Sequence, residues 1–171
     1  AMFQFGPTLK PGVCGHVDNG LGKRVGRGTT GLIEPTWHIT QDTEEHVIDG
    51  VEVVFQLTPE TEAPSEMNFF FPSERVLNLA ENGCHTMHNL CPLRGAPTRD
   101  ALAWSKYLDD ALERFVDRTD VVIAQHHWPT WGQETARRFI IEQRDMYRYL
   151  HDQTLRLMGH GLTPNELAEE V

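Results

Sequence analysis

Cysteine is scarce in this chain, with Cys14, Cys84 and Cys91 the only three among 171 residues. None of them form a C-x-x-C pair, so neither a disulfide framework nor a ribbon-type zinc site can be read from them. Basic residues are also few. Fifteen Lys and Arg stand against twenty-five Asp and Glu, for a net charge of −10. That balance argues against a nucleic-acid partner and against attachment to acidic membranes. It leaves an anionic small substrate open, because a few local arginines or a metal reverse the field inside a cleft. No apolar run approaches the ~20 residues of a membrane span. The opening AMFQFGPTLKPG has no basic stretch followed by an apolar one, so no signal peptide is read, and the sequence assigns no compartment. Internal repeats and low-complexity segments are absent too. What remains, 39% hydrophobic and 23% charged residues, fits one globular domain able to bury a core.

The Gly-rich stretch GLGKRVGRG at 20–28 invites a phosphate-loop reading, and its spacing fails both nucleotide motifs. Arg24 follows Lys23 where a Walker loop needs Ser or Thr, and Gly20, Gly22 and Gly26 miss G-x-G-x-x-G by one residue. An irregular loop is expected there. Short strands are expected at 31–33 and 37–40. Asp49-Gly50 between two β-rich runs then predicts a hairpin, with Val51, Val53, Phe55 and Leu57 alternating onto one face. Two further strands are expected at 67–71 and 76–80. Residues 98–118 have the period of a helix capped by Thr98, with Ala101, Trp104, Leu108, Leu112 and Phe115 as its buried stripe. A buried strand at 121–125 completes a β-α-β unit with parallel pairing. A long helix over 132–158 follows, and Thr163-Pro164-Asn165-Glu166 starts another. The fold class is therefore α/β, or α+β: a mixed sheet with flanking helices.

Residues 58–95 concentrate the chemistry. Glu62 and Glu81 flank a short apolar run, and Asn82, Cys84, His85, His88, Asn89 and Arg94 follow. Glu62, Glu81 and His126 all fall at or near predicted strand ends, where ligand sites of helix-flanked sheets collect. Two carboxylates and an imidazole suit Zn²⁺, Mn²⁺ or Fe²⁺. Arg94 offers a forked donor for a tetrahedral anion, and Asn89 a neutral one. The same residues also have an ordinary reading, as loop glutamates and a strand-capping histidine. A compact set of Glu81, Cys84, His85 and His88 is nearer in sequence, but C-H-x-x-H matches no zinc-finger spacing.

The segments FGPTLKPGVCGHVDNGLGK, LTPETEAPSEMNFFFP, LAENGCHTMHNLCPLRGAPTRDALAWSKYL, HHWPTWG and QRDMYRYLHDQTLRLMGHGLTPNELAE resemble the zinc-dependent alkylsulfatases of the metallo-β-lactamase superfamily. The resemblance implies an αββα sandwich with two zinc ions that hydrolyses alkyl sulfate esters such as dodecyl sulfate. It implies that Glu62 serves one zinc, that Glu81 bridges the two, and that His126 serves the other, with His127 as its alternative. Arg94 would grip the sulfate with Asn89 beside it. It also implies that residues 1–158 are the C-terminal half of the catalytic domain and that 159–171 begin a helical dimerisation region. Two departures stand out. The family's H-x-H-x-D-H motif is absent from this chain, and Phe3-Gln4-Phe5-Gly6 stands where the family has Tyr-x-Tyr-Gly. The expectation is thus a portion of an alkylsulfatase that is inactive by itself. The alternatives are a non-catalytic module associating through an exposed sheet, as a homodimer for instance, and one half of a split metallohydrolase completed by a partner chain.

Overall fold

The computed structural model describes residues 12–13, 29, 31–92 and 96–171. The chain divides into two compact units, one made of Ala1–His38 with Cys91–Pro97 and the other of Ile39–Leu90 with Thr98–Val171. The Gly-rich stretch 20–28 lies outside the described residues. The strands expected at 31–33 and 37–40 do not form. Pro35 lies between them, fixes its own φ and donates no backbone hydrogen bond.

The second unit holds six strands in the order β1-β2-β3-β4-β5-β6. These are β1 Thr43–Ile48, β2 Val51–Leu57, β3 Met67–Phe71, β4 Val76–Asn78, β5 Val121–Ile123 and β6 Thr130–Trp131. Asp49 (φ 50°) and Gly50 (φ 83°) make the predicted tight turn between β1 and β2, both in the left-handed region that this turn demands. Four neighbour pairs are antiparallel, and β4–β5 is parallel, as the β-α-β reading requires. The two-residue β6 was not foreseen, being too short to show a period.

Helix α1 is Ala101–Phe115, continued by a 3₁₀ turn at Val116–Arg118, and α2 is Gln133–Gly159. Both pack on one sheet face. Val54, Phe70, Leu77 and Val122 lie opposite one another in register on β2 to β5 and share a core with Trp104, Leu108, Phe115, Phe139, Ile140 and Tyr147. The five stripe residues expected on α1 are all buried. On β2 the face toward the helices carries Val54 and Gln56, and the expected alternation of Val51, Val53, Phe55 and Leu57 falls on the opposite face. Val53 and Phe55 are also buried, Phe55 against the edges of His46 and Phe69, while Val51 is exposed. A strand buried on both faces does not show by alternation which face meets the helices.

A chain of buried amides runs along this face. Asn68 Nδ2 donates to Gln56 Oε1, and Asn82 Nδ2 donates to Asn68 Oδ1, each at 2.9 Å. Gln56 Nε2 donates to Tyr107 O and Asp110 Oδ2 on α1. The Trp104 indole, stacked on Tyr147 at 4.5 Å, donates to Asn82 O at 3.0 Å. Helix α3, Pro164–Glu170, has the predicted capping box between Thr163 and Glu166, and no residue of it is buried.

The cap of α1 is Asp100, not Thr98. Its carboxylate accepts from the N–H groups of Leu102 (2.8 Å) and Ala103 (3.0 Å). Asp100→Ala is expected to lower stability by about 1 kcal/mol. Thr98→Ala is expected to cost a few tenths at most, and urea unfolding midpoints of the two variants read the difference.

Candidate metal site

The parallel pair places two of the expected ligands. Asn78 of β4 lies opposite Ile123 of β5, and each chain runs three residues further to Glu81 and His126. The pairing continues beyond the strands, with Leu79 N–H donating to Ile123 O (2.9 Å) and Gln125 N–H to Ala80 O (3.1 Å). Both side chains thus leave the sheet at the carboxyl ends of parallel strands. The backbone is strained beside each, at Ala80 (φ 50°) and His127 (φ 70°). Left-handed non-glycine residues cost on the order of 1 kcal/mol or more and cluster at functional sites. The Asn78 side chain supports the first by accepting from Ala80 N–H at 2.9 Å.

A third residue joins them. His88 Nε2 lies 2.7 Å from Glu81 Oε2, and His126 Nε2 lies 3.5 Å from the same oxygen. One donor atom from each of Glu81, His88 and His126 falls within 4.8 Å of the others. One carboxylate oxygen and two imidazole nitrogens fit a divalent cation of the zinc type. His126 is half-exposed, Glu81 less so, and His88 is nearly covered, so the cluster opens to solvent on one side.

Glu62 is on the loop between β2 and β3, and its carboxylate is held by Arg99, whose Nη2 donates to Oε1 at 2.5 Å. Arg99 is only 5% exposed. It also donates from Nε to Glu62 O (3.0 Å) and from Nη1 to Asn89 O and Oδ1 (2.7 Å each). Glu62 is not part of the group formed by Glu81, His88 and His126. Asn89 is tied to the loop by the same guanidinium. Arg94 lies outside the described residues. His127 faces elsewhere, with Nδ1 3.4 Å from Cys84 Sγ, so His126 is the imidazole that reaches Glu81. His85 stacks on Phe139 and bonds Thr130, so the compact set with Cys84 does not assemble. Arg99 went unread in the sequence, and His88 was weighed beside Glu81 only in the compact set with Cys84 and His85, not with His126. The loop from 82 to 100 has no period, so nothing local marks which way its side chains point.

Glu66 sits beneath the carboxylates, its Oε1 accepting from Glu81 N–H at 3.1 Å. Burial pushes its carboxyl above the ordinary range, and the charges of Glu62 and Glu81 add to the rise. A carboxyl raised on folding favours the folded state while protonated, and that contribution is lost as pH rises through the raised value. Glu66→Gln mimics the protonated acid. Its stability is expected to match wild type below about pH 4 and to exceed it increasingly above. Urea midpoints against pH, without added metal, measure this, and equal pH profiles would refute it.

No family model matches the chain. Over all 171 residues the chain is 53% identical to the alkyl/aryl-sulfatase BDS1 of Saccharomyces cerevisiae and spans 26% of that protein. It is 46% identical to a linear primary-alkylsulfatase of a Pseudomonas species and spans 25% of it. The solved stereoselective inverting sec-alkylsulfatase Pisa1 from Pseudomonas superposes with a TM-score of 0.88 at 46% identity, over 99% of this chain and 27% of that one. The metallo-β-lactamase DIM-1 superposes with a TM-score of 0.51 at 13% identity, over 67% of this chain and 50% of that one, a likeness of fold alone. The chain spans about a quarter of the length of the alkylsulfatases it matches. Over its whole length the chain is similar to one portion of proteins named alkylsulfatases, and its fold is shared with metallo-β-lactamases.

Proposed function

We propose that this chain forms the C-terminal half of the catalytic domain of a metal-dependent hydrolase converting alkyl sulfate and water to alcohol and sulfate. Residues 159–171 then begin a helical region beyond that domain. The observation that carries the reading is the meeting of Glu81 and His126 at the ends of the parallel pair, in a chain whose relatives are alkylsulfatases. Glu81 and His126 would hold one zinc ion, and Glu62 together with Glu81 would serve a second. Zinc at such a site polarises the sulfate oxygens and lowers the pKa of water. Arg94 grips the sulfate group. Asn89 assists with its NH₂, since Arg99 already occupies its Oδ1. This arrangement holds the ester by its charged end and leaves the alkyl chain outside the polar cluster.

Catalytic zinc commonly takes three protein ligands per ion, and H-x-H-x-D-H is absent from this sequence, so residues of that kind, in the same protein or supplied by another chain, would complete the site. The test is sulfate release from dodecyl sulfate. None is expected from this chain alone. Release is expected once a chain with the missing motif is added, is lost on chelation, and drops by more than about a hundredfold in Glu81→Gln or His126→Gln, past the range of outer-shell changes. Release by this chain alone, or release insensitive to chelation, overturns the reading.

One observation favours a second reading, a module that associates with another copy. The tip of the β1–β2 hairpin exposes Val47, Ile48 and Val51 on an edge of the sheet. Sedimentation showing a monomer at high concentration sinks it.

A further inference from the structure

His126 and His127 are neighbours in the chain, and their rings reach different residues of one short turn. His126 Nε2 lies 3.5 Å from Glu81 Oε2, and His127 Nδ1 lies 3.4 Å from Cys84 Sγ. Adjacent side chains of an extended chain point to opposite faces. Two histidines in a row therefore meet the turn at 81–84 only if the backbone between them leaves the extended form, and it does so at His127 (φ 70°). Left-handed backbone at a residue other than glycine is costly and persists only where its surroundings impose it. The surroundings here are buried. Cys84 is 4% exposed, its N–H donates to Gln143 Oε1 of α2 at 3.4 Å, and its sulfur lies 3.3 Å from Thr86 Oγ1. Beside it, the His85 ring is stacked on Phe139 of α2, lies edge-to-face with His127 at 6.0 Å, and has Nε2 2.9 Å from Thr130 Oγ1. Helix α2 thus holds residues 84 and 85, and these hold residues 127 and 130.

We propose that Cys84 and His127 are the positioning pair of this site: their contact keeps the left-handed turn at His127 and so holds the His126 imidazole against Glu81. This rests on the metal-site reading above and deepens it. Neither residue is a ligand, and both act through His126. The direction of the proton in the contact is immaterial, since a thiol and an imidazole nitrogen each donate or accept. Two substitutions separate the contact from the strain. Asparagine tolerates the left-handed region, and its amide offers both a donor and an acceptor to Cys84. Glycine tolerates that region better still and offers the sulfur nothing.

Two measurements on the 171-residue chain test it. The first is zinc affinity by calorimetric titration. His127→Asn is expected to bind within about twofold of wild type and His127→Gly about tenfold more weakly, as changes behind a ligand do. Wild-type affinity in His127→Gly overturns the proposal. Asparagine as weak as glycine makes the imidazole itself necessary and overturns it too. The second needs no metal: nuclear Overhauser contacts between the ring protons of His126 and His88, whose centroids are 6.4 Å apart. They are expected in the wild type and in His127→Asn and lost in His127→Gly, and contacts kept in the glycine variant overturn the proposal. Cys84→Ala removes the same contact from the other side. It serves if the glycine variant fails to fold, with the same losses expected and unchanged values overturning the proposal. Absence of zinc binding by the wild type refutes the metal-site reading, and the ring contacts still decide the role of the pair.

Discussion

Everything at the candidate site depends on the parallel pairing of β4 with β5. Antiparallel neighbours would send the two chain ends to opposite edges of the sheet. Parallel ones bring them out side by side, and Glu81 and His126 leave the sheet in register. The pairing is secured by Leu77 and Val122, which are 0% and 1% exposed and face each other in the core. Burial of such side chains contributes about 1.5–3 kcal/mol apiece. The same hydrophobic row that closes the core therefore sets the separation of two groups that bind no apolar surface themselves.

The polar residues beneath the site extend this logic. Asn82, one residue past Glu81, is linked through Asn68 to Gln56 and from there to the flank of α1. A buried amide without a partner costs on the order of 1–3 kcal/mol, so each link constrains the next. The loop that carries Glu81 is thereby fixed to the sheet from below and, through Trp104, to the helix from the side. Rigid support of this kind is what a constellation of donor atoms needs if it is to hold a cation without paying to order itself first.

Much of the scaffold was legible in the sequence, for stated physical reasons. The stripe on α1, the Asp49-Gly50 turn, the β-α-β connection and the capping box at Thr163 all rest on local periods or on residues with few backbone options. What escaped the sequence lacked such signals. The alternation on β2 did not show which face meets the helices, because Val54 and Gln56 are buried on the other side. The cap of α1 was placed two residues early because Thr98 and Asp100 are both good caps, and only geometry separates them. At the site, Glu81 and His126 were chosen as strand-end residues and by family resemblance, and they do converge. The contact between His88 and Glu81 crosses a loop without period, and the fork of Arg99 joins two loops that are far apart in sequence.

The crossover between β4 and β5 also bears on how the site comes into being. Between Asn78 and Val121 the chain must make a long excursion that includes all of α1 before the two strands can meet. Closing a loop of that length is an entropic cost that nothing local repays, and non-local parallel contacts form late. Glu81 and His126 are therefore strangers in the unfolded chain and in its early helical states. A cation has no preformed pair to find there. A cation bound at the site would meet these groups only once the fold is nearly complete, and would act on the lifetime of the folded chain rather than on the speed with which that chain folds.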